Sequence, residues 1–194
     1  FRRVLFRSDG TAIALATTAT FFTINPLVAG LILLASQPLK FYLALHPASL
    51  KKSALWLLLI LALMLAFAGL NWILERPTPD FMLVAMETAD PLALLIFALV
   101  IAAPITEEVV FRGFVYRGLE QSRLGPIAAV VVSTIIFTLI HVQYESLDLL
   151  YVGLLGLALG LARWHTGSLL VPVLMHALAN LIATLDVLLF MQTG

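Results

Sequence analysis

Residues 104–112 read Pro104-Ile105-Thr106-Glu107-Glu108-Val109-Val110-Phe111-Arg112: two adjacent carboxylates and an arginine, preceded by the wholly apolar run 92–103 and followed by aromatics. An ionisable side chain at membrane depth costs roughly 2.5–3.5 kcal/mol, so such groups face a protein interior or a wet cavity. The stretch therefore reads as a functional site inside an all-α, polytopic membrane helical bundle.

Composition agrees. Of 194 residues 62% are hydrophobic and 11% charged, against about half and about a quarter in soluble domains. The chain reads as a multi-pass integral membrane protein whose first partner is the lipid bilayer. Its net charge of zero gives no basic face for nucleic acid. The lack of cysteine excludes disulfides, thiolate metal sites and a cysteine nucleophile.

Taken in order, residues 1–8 (Phe-Arg-Arg-Val-Leu-Phe-Arg-Ser) read as a translated sequencing adapter, with the natural N-terminus expected to be missing. Residues 9–90 read as N-terminal transmembrane helices and loops, and 91–194 as the catalytic core. Apolar runs predict about six spans, at 11–35, 53–74, 91–121, 126–143, 148–163 and 168–190. Asn25-Pro26 predicts a kink or a break in the first, Asp90-Pro91 an N-cap and first turn for the third, and Pro104 a kink. The stretches 36–52 and 75–90 read as a basic and an acidic loop. Lys40, Lys51, Lys52, Arg117, Arg123 and Arg163 fall in alternate loops, which the positive-inside rule assigns to the cytoplasm. Gly153, Gly156 and Gly160 predict a close helix-packing face, internal or against a second copy, which leaves a homo-oligomer open.

His141, His176 and Asn180 interrupt the later spans. A rise of about 1.5 Å per residue places them and Glu107 roughly 12–22 Å below the basic ends of their helices, in a site expected to open to the cytoplasmic side. Glu108 and Arg112 are i,i+4, as are Phe137 and His141, and His176 and Asn180, so each pair shares a face. Adjacent Glu107 and Glu108 diverge by about 100° and should differ in role. Glu108 is expected to pair with Arg112. Glu107 is then free to act as general base on water, and His141 shares that water or protonates a leaving amine. His176 and Asn180 would hold the oxyanion of a tetrahedral intermediate. Such a set suits amide hydrolysis without a metal. Glu107, His141 and His176 could instead hold zinc, although no H-E-x-x-H helix is present. A proton relay in a small transporter, or a non-enzymatic immunity or scaffold protein, are the other readings.

Glu107-Glu108-x-x-x-Arg112, Phe137-x-x-x-His141 and His176-x-x-x-Asn180 resemble, in order and spacing, the three motifs of the CAAX-processing and bacteriocin-processing (CPBP) membrane proteases, also called type II CAAX prenyl endopeptidases. The similarity covers roughly residues 90–190. It implies a glutamate-dependent intramembrane endopeptidase: Glu107 and His141 activate water, His176 and Asn180 form the oxyanion hole, and Glu108 and Arg112 support them. It also implies a membrane-associated protein or peptide as substrate. The compact form and clean positive-inside pattern suggest a bacterial source, with bacteriocin precursors or leader peptides as the expected substrates and the bacterial cytoplasmic membrane as the expected location.

Overall fold

The computed structural model describes residues 9–141 and 144–193; the adapter expected at residues 1–8 lies outside them. The described residues form helices and turns only. In chain order these are α1 (Gly10–Leu34), α2 (Leu39–Tyr42), α3 (Leu50–Ile73), α4 (Asp80–Thr88), α5 (Leu92–Glu120), α6 (Gly125–Leu139), α7 (Ser146–Thr166) and α8 (Leu170–Thr193). The all-helical membrane bundle is as the sequence predicts. Five helices, α1, α3, α5, α7 and α8, are long and apolar enough to cross a membrane. The fourth hydrophobic helix, α6, has 15 residues, or about 22 Å against a hydrocarbon core of about 30 Å.

Several local expectations are corrected. Helix α1 runs unbroken through Pro26. The Asn25 side chain donates to the Phe21 carbonyl at 2.9 Å, supplying a donor beside the backbone bond that proline cannot make. The acidic loop contains α4, which carries Asp80 in its first turn, where the helix dipole favours a carboxylate. Its Ala85 and Met86 are buried with Ala14, Leu95, Ala98 and Val187. Gly10 permits this contact, because a Cβ there would collide with the Ala85 carbonyl. Asp90 does not cap the third span: α5 starts at Leu92 after Pro91, and the Asp90 amide donates to Thr11 Oγ1 at 2.8 Å.

Helix α5 runs on through Pro104, as its apolar length predicts. The helix is wound in π register over Ala98–Ala102, one residue short of the proline, and again over Val109–Val115. The turns at 36–52 are pinned to the α7–α8 connection, with Leu169 N–H on Ala44 O at 3.1 Å and Lys52 Nζ on His165 O at 3.4 Å. Arg117 lies 5.6 Å from the Phe41 ring centre at the same end. This basic end stands opposite an acidic one, where Arg76 is bidentate to Asp148 at 2.8 and 3.0 Å. Arg163, expected in a loop, is instead buried inside α7.

The glycines of α7 pack internally, against α6. A Cβ on Gly156 would lie 3.0 Å from Phe137 Cδ1 and 3.3 Å from Arg112 Nη2, whereas one on Gly153 would meet Thr138 Oγ1 at an ordinary 3.5 Å. Gly156→Leu should therefore destabilise the protein by about 1–3 kcal/mol through overpacking, while Gly153→Ala should be close to neutral. Unfolding midpoints in detergent micelles check the contrast; equal midpoints for the two variants would contradict the packing.

Candidate active site

Two consecutive residues of α5 face different surroundings, as a helix requires. Glu108 and Arg112 are both wholly buried, with Arg112 Nη1 donating to Glu108 Oε1 at 2.8 Å. The other end of the guanidinium donates to Gly156 O at 2.8 Å, and its carbon lies 4.6 Å from the centre of the Phe137 ring. Glu108 Oε1 also faces His176 Nδ1 at 2.9 Å. A carboxylate only accepts, so Nδ1 carries the proton and donates. His176 Nε2 is then directed toward Glu107 Oε2, 3.8 Å away.

Glu107 retains freedom that Glu108 lacks. Its side chain is 24% exposed, and its Oε2 is buried without a hydrogen-bond partner among the described residues. It borders a cavity of about 210 Å³ between α1 and α5, lined by Ala16, Thr17, Thr20, Ala103 and Thr106. Thr106 also accepts a hydrogen bond from the Asn25 side chain at 2.9 Å, which ties α1 to α5 one residue before Glu107.

His141 lies in the turn that ends α6, not within a helix extending to 143. The helix tightens there: His141 N–H bonds Thr138 O at 3.1 Å, so Phe137 O loses its usual donor. The imidazole fills the gap, with Nδ1 2.7 Å from Phe137 O. Donation from Nδ1 leaves Nε2 with a lone pair, suited to accept from water. The Phe137 ring touches both histidines, with centroids 4.6 Å from His141 and 5.8 Å from His176. Tyr144 stacks on His141 at 5.9 Å and meets Phe81 edge-on at 5.1 Å. Burial, and next the charge of Glu107, push the Tyr144 phenol up to about 12, so it remains an O–H donor at neutral pH.

Asn180 is placed differently from expectation. Its Nδ2 donates to Leu99 O at 2.8 Å, about two helical turns before Glu107. The reason lies in α5. Ala103 N–H bonds Ala98 O in the π turn, and Pro104 has no N–H, so the donors four and five residues beyond Leu99 are both lost. In lipid such a carbonyl needs a side-chain donor, and Asn180 provides it, keeping one further N–H.

The structure thus brings Glu107, Glu108, Arg112 and His176 into direct register, joins His141 through Phe137, and holds Asn180 farther along α5. Among the described residues no three His, Asp or Glu side chains are grouped as a metal ion would need. Sequence reasoning missed Asn25, Thr106, Tyr144 and Arg163. Asn25 and Arg163 were visible as polar residues but read as a helix break and a loop charge. Tyr144 gives no sequence signal of its own.

The two glutamates should separate in a stability measurement. Glu108→Ala strands a buried guanidinium and should cost about 3–5 kcal/mol, whereas Glu107→Ala should cost less than about 1 kcal/mol. Unfolding of both variants in micelles tests this; equal losses would contradict the division.

Residues 89–182 match the family model described as type II CAAX prenyl endopeptidase, Rce1-like. A relative in Escherichia coli, described as an uncharacterized 24.3 kDa protein, is 30% identical over 116 residues, which cover 58% of this chain and 54% of that protein. The chain thus spans about half the length of the curated relative that it matches. No solved structure matches. The matched stretch holds Glu107, Glu108, Arg112, His141, His176 and Asn180, and the match supports membership of the Rce1-like type II CAAX prenyl endopeptidase family.

Proposed function

We propose that this protein is an intramembrane endopeptidase that hydrolyses peptide bonds of membrane-associated proteins or peptides, with Glu107 as general base. One observation carries the reading. Of two adjacent glutamates, Glu108 is spent on Arg112 and His176, while Glu107 borders a cavity and keeps its Oε2, without a hydrogen-bond partner among the described residues, 3.8 Å from His176 Nε2.

The chemistry follows from that division. A water between Glu107 and the scissile carbonyl gives a proton to the carboxylate as its oxygen attacks the carbonyl carbon. The charge that develops on the carbonyl oxygen needs a preorganised donor. His176, held by Glu108 at Nδ1, supplies one when Nε2 carries a proton. The second N–H of Asn180 is the further donor. As the C–N bond breaks, the amine leaves with the proton that Glu107 took from the water, passed directly or by way of His141 Nε2. Arg112 and Glu108 hold the geometry without touching the substrate. Metal ions play no part in this scheme, and the enzyme would act in a bacterial cytoplasmic membrane.

Detergent-solubilised protein and a quenched fluorescent peptide library test it. Glu107→Gln and His141→Ala should each lower kcat by about 10²–10⁴-fold with folding retained, and a strong chelator should change nothing. Cleavage that survives Glu107→Gln would sink the proposal. Complete, zinc-reversible loss with chelator would overturn its metal-free form.

A further inference from the structure

Arg163 is a buried cation that the chemistry above leaves unused. It is 3% exposed, lies within α7, and donates from Nε to the backbone carbonyl of Arg112 at 3.1 Å. Its guanidinium carbon sits 5.1 Å from the centre of the Tyr116 ring. That carbonyl is where the second π turn ends. Tyr116 N–H, the donor an α-helix would send to Arg112 O, is bound to Phe111 O instead. The arrangement repeats the first π turn, where Asn180 of α8 serves Leu99 O. Each π turn of α5 thus ends on a carbonyl bonded by a side chain from another helix, and Glu107 and Glu108 lie between the two.

We infer that Arg163 is a positioning residue that fixes the π register of Val109–Val115, and through it the orientation of Glu107, Glu108 and Arg112 toward α7 and α8. An unbonded carbonyl in hydrocarbon is costly, so without Arg163 the segment relaxes toward α register, where Tyr116 N–H serves Arg112 O. Removing the extra residue of a π turn rotates one side of the helix against the other by about 100°. Arg112 then leaves Gly156 O, or Glu107 leaves the cavity. Lysine cannot replace this arginine fully, since it lacks both the Nε–H and the plane that lies over Tyr116.

The kinetic half of the test rests on the protease reading, and a second readout does not. Arg163→Met should lower kcat by about ten- to a hundredfold with KM changed less than about threefold, and Arg163→Lys should recover part of kcat. The chain has no cysteine, so spin labels can be placed on the exposed positions Ile101, Gln121 and Ile135. Dipolar distances are measured for the pairs 101–135 and 121–135 with Arg163 and with methionine there. A rotation of about 100° displaces a label by on the order of 7 Å, so one pair should shift by several ångströms. Unmoved distances overturn the inference whatever kcat does, as do moved distances with unchanged kcat. If wild type cleaves nothing, the protease reading fails while the distances still decide the role of Arg163. If the methionine variant does not insert, Arg163→Gln and Arg163→Lys take its place under the same criteria.

Discussion

Arg112 is the junction on which the site depends. Its guanidinium bonds a carboxylate of its own helix, the backbone of α7 and the face of an α6 ring, while its carbonyl receives Arg163. A buried cation in hydrocarbon is tolerated only with such partners. Those partners explain why Gly156 lacks a side chain, why Phe137 is wholly buried, and why Glu108 serves structure while its neighbour remains available. The close approach of α6 and α7 follows from the same contacts.

A second constraint is the backbone of α5. Proline and two π turns leave carbonyls without helical donors, and polar side chains of α7 and α8 answer them. Polar groups in these spans therefore divide into those that complete the backbone and those that face the cavity, and Asn180 takes part in the first task with one of its two N–H groups. The histidines are fixed in the same manner, each with Nδ1 committed to a named oxygen and Nε2 left for chemistry.

The sequence revealed the parts of the site that obey simple periodicity. Glu108 with Arg112 at i,i+4, the small-residue face of α7 and the helical class all follow from spacing and hydropathy. Other features depend on partners distant in the chain. A π turn has no reliable sequence signature beside Pro104. Arg163 four residues before a helix-ending glycine looks like a loop charge until α5 is seen against it. Asn25-Pro26 has the composition of a break, yet the asparagine amide meets both Phe21 and Thr106 and keeps α1 intact. The turn at His141 came early because α6 stops at Leu139, where its own residues remain apolar enough to continue.

That early stop bears on how water reaches the turn at His141. A helix about 8 Å shorter than the hydrocarbon core must thin the bilayer around itself or admit solvent above its end. The turn carrying His141 and Tyr144 is at that end, beside the acidic surface. The short helix thus brings the aqueous boundary nearer to the turn that carries His141.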